Sequence, residues 1–473
     1  MKENKTSDHY NSDNTGESRK SRLDLLSGKL AAAPGLLMCL ITAGMLAADV
    51  VLPSMADLQY TVYPLAYRLQ TLIAVVCCLI YMWLRKDAYG TEAPGDKSDG
   101  PDISTLMFLA FALFIMISTF VNGFSRDAIF GVQFRYIGVF DLIVFMAVYM
   151  GLSRRAAAEG TAGAVLWGIV WTANLIDAAV LLSIPTDGIA AFENKEGLSA
   201  VFFHSNHYGY FLVIAVIISA GYYIYGDMLQ MIAGIVSFGL NMVMLVFNRS
   251  LGCLIAVAAV LLIMLIEAMI RGRDIERRKA FILAVCLVTA LAALLVCSHR
   301  LRIELYFTLR EAVSILHGQG NQYMGHGRWQ LWELTADYIR QKPLLGYGCE
   351  GISEMLFTDS PAVNKVGSPH CEPLAYAAFF GIPAALFYLG GCVSAIAKGL
   401  RRKAGAADRS DNTSPAQTGI QAADPAIYSR VAAYAAAGYF ISSLFGVAVF
   451  YTAPFFFILL GTAAGCAIEE RSI

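Results

Sequence analysis

Runs of about 20 apolar residues, the length that crosses a bilayer core, recur from one end of this chain to the other. They fall at roughly 32–52, 65–84, 103–122, 128–152, 160–184, 204–225, 227–247, 250–270, 280–298, 373–396, 429–450 and 453–468, with the stretch around 186–203 reading as a loop followed by an apolar fragment. In hydrocarbon every backbone N–H and C=O must be satisfied within the chain, so each run is predicted to be a helix. Of the 473 residues 57% are hydrophobic and only 15% charged. That is more apolar material than a soluble core uses. The expected fold class is all-α: a polytopic membrane protein with about 12 transmembrane helices and a long extracytoplasmic helical loop.

Lys and Arg cluster in alternate connections: the N-terminal tail, Arg85 with Lys86, Arg154 with Arg155, RGRDIERRK at 271–279 and GLRRK at 399–403. By the positive-inside rule these are cytoplasmic. The resulting organisation is a disordered cytoplasmic tail at 1–30, helices one to nine over 31–298, an extracytoplasmic loop at 299–372, and helices ten to twelve over 373–473 with a cytoplasmic loop at about 397–428. Both termini are then cytoplasmic. A formal net charge of -1 provides no global basic field for nucleic acid. The 10 cysteines form no C-x-x-C pair, so neither a zinc site nor a disulfide framework is implied; Cys349 and Cys371, in the same polar loop, are the one pair with a chance of joining. No internal repeat is visible, which disfavours transporter folds built by obvious duplication.

This sidedness sorts the unusual polar residues. Arg135 in GVQFRYIG lies about two turns below the outer end of the fourth span, and HSNHYG, with Asn206 and His207, opens the sixth span at its outer end. Arg249 in FNRSLG occupies the outer turn between the seventh and eighth spans, and His370 in GSPHCEPLAY stands where the long outer loop enters the tenth, two residues before Glu372. Taken singly, these residues have ordinary accounts as a snorkelling side chain, an interfacial cap or a flanking anchor. An arginine inside an apolar span is costly enough to imply a partner, and convergence of all of them on one face points to a site. In the loop itself, Leu305, Leu309, Val313 and Leu316 form an apolar stripe fit to lie on the membrane surface. Trp329, Trp332, Ala336 and Ile339 form a second stripe expected to pack inward, which leaves Arg328 off the stripe and free to face something else.

Here the residues reach a resemblance. GRWQLW, then PLLGYG, then PHCEPLAYAAFFGIPAALFYLGG resembles the O-antigen ligase and Wzy-type polymerase superfamily, and upstream GVQFRYIG, FHSNHYGYFL and NRSLGCLIAV are similar to further elements of it in the same order, over about residues 125–465. Cys371 stands where members of the family carry Asn after the histidine, and Asn248 where they carry Ser. The resemblance implies a GT-C-like fold in a bacterial cytoplasmic membrane. It also implies transfer of a glycan from an undecaprenyl-diphosphate carrier to a glycan or lipid-linked acceptor hydroxyl on the outer face.

The residue chemistry suits that reaction. Arginine forks match phosphate oxygens in a bidentate way, which makes Arg249, Arg328 and Arg135 the candidates for the donor pyrophosphate. An imidazole that titrates near neutral pH suits removal of the acceptor proton, so His370 is the expected catalytic base, with His207 or Glu372 as substitutes and Asn206 on the acceptor side. No D-x-D-like cluster stands in the outer loop, so neither a metal nor another cofactor is expected. A polytopic transporter or lipid-linked glycan flippase is the alternative; it predicts charges spread through the bilayer midplane instead of gathered on one side.

Overall fold

The computed structural model describes residues 68–69, 102–132, 135–153, 161–183, 193–194, 197–200, 202, 204–297, 299–319, 324–325, 327–360, 366–401 and 425–465. The expected tail, the first span, all but two residues of the second, His326 and most of the last cytoplasmic loop lie outside these residues. The described helices, in chain order, are α1 (Ile103–Asn122), α2 (Arg126–Phe130), α3 (Val139–Ser153), α4 (Thr161–Ser183), α5 (Ser205–Tyr225), α6 (Met228–Asn248), α7 (Leu251–Arg271), α8 (Asp274–Cys297), α9 (His299–Leu316), α10 (Arg328–Gln341), α11 (Ser353–Asp359), α12 (Glu372–Phe380), α13 (Ile382–Arg401), α14 (Pro425–Ser443) and α15 (Ala453–Gly465). Between α4 and α5 a two-residue ribbon pairs β1 (Glu193–Asn194) antiparallel with β2 (Gly197–Leu198). The chain is thus mostly helical, and among the described residues 6 helices are long and apolar enough to cross a membrane: α1, α4, α5, α6, α7 and α13. Helices α3 and α15 are apolar but shorter.

Helix α5 is the axis of the bundle. Its sequence is apolar on every face, and it is buried almost throughout, against α4, α6, α7 and α14. By contrast α6 and α7 each turn one apolar face outward, through Ile232, Ile235 and Val243 on the first and Ile255, Leu262 and Ile266 on the second, as lipid-facing helices do. Lipid offers no hydrophobic drive for helices to associate, so close packing has to hold them together. Glycine makes this possible on α5: a Cβ on Gly221 would meet Val431 of α14 at 2.6 Å, and one on Gly209 would meet Cys253 Sγ of α7 at 2.7 Å.

Two expected spans are broken. The run at 128–152 is not one helix: α2 ends at Phe130, Arg135 stands in a turn, and α3 begins at Val139. Arg135 therefore lies in an irregular joint and not on the side of a span. The run at 373–396 divides into α12 and α13 at Gly381, whose φ of 93° is closed to other residues without strain. Pro383, lacking an N–H, leaves the Phe379 carbonyl without its helical donor. The segment PLLGYG fills the gap: Gly348 N–H donates to Phe379 O (2.8 Å), Tyr347 N–H to Ala378 O (3.0 Å), and Ile382 N–H to Pro343 O (2.8 Å). Ser118 of α1 adds hydroxyl bonds to Leu345 O (2.5 Å) and Phe379 O (3.0 Å). PLLGYG is thus a backbone splint, and the broken helix is tolerated at membrane depth because protein groups satisfy it.

The buried face of α10 is Leu331, Thr335, Tyr338 and Ile339, a stripe rotated from the expected Trp329, Trp332, Ala336 and Ile339. Both indoles are half-buried instead, because each N–H needs a polar partner: Trp329 donates to Glu333 Oε1 (2.7 Å) and Trp332 to Pro369 O (2.9 Å). Helix α9 leaves Leu305, Leu309, Val313 and Leu316 all exposed. Cys349 and Cys371 are separate free thiols.

Candidate active site

Several elements meet at one end of α5. The first turn of that helix is polar because His204 caps it, its Nδ1 accepting from Asn206 N–H at 3.1 Å. Asn206 Oδ1 in turn accepts from Ser250 Oγ (2.8 Å), which ties α5 to the α6–α7 turn. Asn248, buried in that turn, donates through its amide to Leu198 O (2.6 Å) and Ser205 O (2.7 Å). Two donors from one side chain are something an amide supplies and a serine hydroxyl does not. Between Asn248 and Ser250 the chain passes through Arg249 at φ 63°, which ends α6 in a left-handed cap. The Arg249 side chain is exposed and makes no hydrogen bond or ion pair among the described residues.

His207, one residue after Asn206, is buried with Nδ1 unpaired; its ring lies 5.3 Å from that of His204 and 6.3 Å from that of Tyr451 between centroids. It is within electrostatic reach of His370. The neighbouring Tyr208 hydroxyl bonds to Asp177 Oδ1 of α4, a wholly buried carboxylate whose other oxygen has no partner. Sequence reasoning missed Asp177, although a single Asp inside NLIDAAVLL is the signal that finds it: an acid in an apolar span needs a partner.

His370 sits in the loop that enters α12. Its backbone adopts φ 50°, a left-handed conformation that non-glycine residues seldom take. The loop is held at successive points: Arg135 Nη1 donates to Gly367 O (2.7 Å), Trp332 Nε1 to Pro369 O (2.9 Å), and His370 N–H to Ser368 Oγ (3.3 Å). The imidazole itself is partly exposed and makes no hydrogen bond among the described residues. Burial, then the positive charges of Arg328, His204 and Arg135, push its pKa down to about 3. It is therefore a neutral base at any physiological pH.

Arg328 opens α10. Two glycines in left-handed geometry, Gly325 (φ 59°) and Gly327 (φ 83°), turn the chain sharply into the helix. Among the described residues the guanidinium has one weak tie, Nη1 to Gly325 O at 3.3 Å, and its Nε is buried with no partner. Arg135 is differently placed. Its Nε donates to Glu350 Oε1 (3.1 Å), Nη2 bonds to Glu350 Oε2 and to Ser353 Oγ (2.8 Å), and Nη1 holds Gly367 O, so its fork is fully engaged. Glu372, expected beside the acceptor, points into the bundle: it is buried and accepts from Tyr388 of α13 at 2.7 Å. The structure thus brings His204, His207 and Arg328 within electrostatic reach of His370, commits Arg135 to Glu350, Ser353 and the His370 loop, and turns Glu372 toward Tyr388.

Residues 233–389 match the family model of the O-antigen ligase. Over this segment the chain is similar to the O-antigen ligase. No curated protein is significantly similar to the chain. The O-antigen ligase match runs from within α6 into α13 and so contains Arg249, Arg328, His370 and Glu372, whereas Arg135, Asn206 and His207 lie upstream and join the site only through the fold. The O-antigen ligase family implies lipid-linked glycan substrates in a membrane setting. No group of three or more His, Cys, Asp or Glu side chains with metal-binding geometry is present among the described residues.

Proposed function

We propose that this chain is a membrane glycosyltransferase of the ligase or polymerase type, moving a glycan from an undecaprenyl-diphosphate carrier to an acceptor hydroxyl on the outer face of the bacterial plasma membrane. The observation that carries the reading is the buried, unpartnered Nε of Arg328 within electrostatic reach of the His370 imidazole, whose ring nitrogens make no hydrogen bond among the described residues. An unpaired buried guanidinium N–H is costly, and an incoming diphosphate oxygen would satisfy it. Arg328 is also the first residue of α10, where the helix dipole favours an anion. Arg249, exposed and uncommitted, is the second candidate for the diphosphate.

In the proposed reaction the acceptor hydroxyl gives its proton to the His370 imidazole as its oxygen bonds to the anomeric carbon of the donor sugar. The bond from that carbon to the diphosphate breaks, and undecaprenyl diphosphate leaves with the electron pair. A pKa of about 3 makes His370 a weak base in the empty site. A bound diphosphate opposes the arginine charges and raises that basicity when the donor is present. The site therefore keeps its histidine unprotonated and becomes more basic on loading.

The test is transfer from a polyprenyl-diphosphate-linked glycan by purified protein, normalised to folded material. Replacing His370 with Gln keeps hydrogen bonding but removes proton uptake, and turnover is expected to fall by roughly a hundredfold to ten-thousandfold with donor binding nearly unchanged. Full turnover by the Gln variant would remove His370 from the chemistry.

A further inference from the structure

Among the described residues, the non-glycine positions with left-handed backbone are Tyr136, Ala200, Arg249, Glu350 and His370. Such positions cost on the order of 1–3 kcal/mol each and persist only where their surroundings over-determine them. Three of them are joined by one side chain. Arg135 precedes Tyr136 (φ 50°), pairs with Glu350 (φ 61°), and holds Gly367, three residues before His370 (φ 50°).

The joint is built for rigidity. Glu350 and Arg135 are both largely buried, with side-chain exposures of 5% and 15%. Ser353 Oγ donates to Glu350 Oε2 (2.5 Å), and Arg135 Nη2 reaches the same hydroxyl. The Arg135 carbonyl accepts from Phe450 N–H (3.2 Å), which links the joint to the loop carrying Tyr451 beside His207. A lone buried guanidinium would be an anion site; this one is saturated by a carboxylate, a hydroxyl and a carbonyl, so it has little left to offer a diphosphate.

We infer that Arg135 and Glu350 form a clamp whose work is to hold the Gly367–His370 loop in its left-handed presentation, making both of them positioning residues for the transfer. The inference rests on the reading of His370 as the base. It adds Glu350, which sequence patterns did not single out, and it moves Arg135 from donor ligand to second support. With the clamp loosened, His370 relaxes out of its left-handed geometry, and the imidazole leaves the line between acceptor hydroxyl and anomeric carbon.

The experiment is a double-mutant cycle in purified full-length protein. Arg135→Lys and Glu350→Gln are each made alone and together with His370→Gln, with kcat and donor KM measured on a polyprenyl-diphosphate-linked glycan and thermal unfolding followed in the same detergent. A clamp that acts through His370 predicts that either single substitution lowers kcat tenfold or more and leaves donor KM within about twofold, because alignment and not binding is lost. It further predicts that neither substitution lowers turnover again once His370 is Gln, since residues that act as a unit are not additive. Glu350→Gln retains the shape and the acceptor oxygen, so it carries the test if Arg135→Lys fails to fold. A raised donor KM with kcat intact, or full additivity with His370→Gln, overturns the clamp and returns Arg135 to the diphosphate. Full turnover by His370→Gln alone overturns the base reading and the clamp with it.

Discussion

Two spans of this protein are interrupted, and the interruptions are held by different physics. At Gly381 the break is solved by the backbone: a glycine takes the positive φ, a proline removes a donor, and PLLGYG returns hydrogen bonds to the freed groups. At residues 131–138 glycines stand at the ends, where a Cβ on Gly131 would lie 2.3 Å from Ile137 N and one on Gly138 2.1 Å from Ile129 O, but the middle is Arg135 and Tyr136. There the chain is held by charge. Arg135 pairs with Glu350, while Arg68 pairs through Nε with Asp141 Oδ1 at 3.0 Å and donates through Nη2 to Tyr136 O at 3.3 Å. The glycine and proline joint is closed by backbone hydrogen bonds. Charged side chains in a strained joint make one that reaches across to the loop carrying His370.

The sharpest way to break this contrast is at Gly381. A Cβ there would stand 2.0 Å from Leu344 O and 2.3 Å from Leu344 C, and backbone has nowhere to move. Gly381→Ala is expected to abolish accumulation of folded protein, read as the loss of the monodisperse peak in detergent size exclusion. Gly123 shares nearly the same φ, 94°, with nothing within 4 Å of its Cβ position, so Gly123→Ala bears only the conformational cost of about 1–3 kcal/mol and still folds. Equal yields from the two variants would show that the splint is not what fixes the second break.

The first break is probed next by Asp141→Ala, which leaves Arg68 without its carboxylate and Gly138 N–H without the acceptor it has at 3.0 Å. Loss of one partner from a buried pair costs roughly 3–5 kcal/mol. A large drop in thermal midpoint is expected, with Asp141→Asn less affected because it keeps the hydrogen bonds. Equal midpoints for Ala and wild type would mean that charge does not hold this joint.

The smallest effect expected is on pH. His370 has a folded pKa of about 3, below its unfolded value near 6.5, so the unfolded chain binds the proton first as pH falls. Its contribution to stability is complete above pH 6.5 and is lost progressively between 6.5 and 3. From pH 7.5 to 6 the loss is about 1 kcal/mol or less, and His370→Gln is expected to remove that increment from the pH dependence of unfolding. An unchanged difference between the two pH values in the Gln variant would show that His370 is not held in its suppressed state by Arg328, His204 and Arg135.

Much of the architecture was legible in advance because its signals are local. Apolar runs of the right length placed α1, α4, α5, α6 and α7 within a few residues, and the polar opening of α5 was visible as HSNHYG. The Gly-Ile-Pro at 381–383 is a readable break signal, yet it does not say which groups will repair the break. The tilt of the α10 stripe was misjudged because indole N–H groups sought partners that hydropathy does not count.

What the sequence by itself determined is the membrane class, the order of the helices, and the supply of arginine and histidine beside the GRWQLW, PLLGYG and GSPHCEPLAY motifs, since each follows from composition and spacing over a few turns. What only the tertiary structure decided is how those groups are used. Arg135 finds Glu350 at a separation of 215 residues, Tyr208 finds Asp177 across two helices, and Glu372 turns inward to Tyr388 two residues after His370. The physical reason is that an ionisable group in an apolar bundle takes whatever partner the packing brings within about 3 Å, and that partner is set by the path of the whole chain and not by its neighbours in sequence.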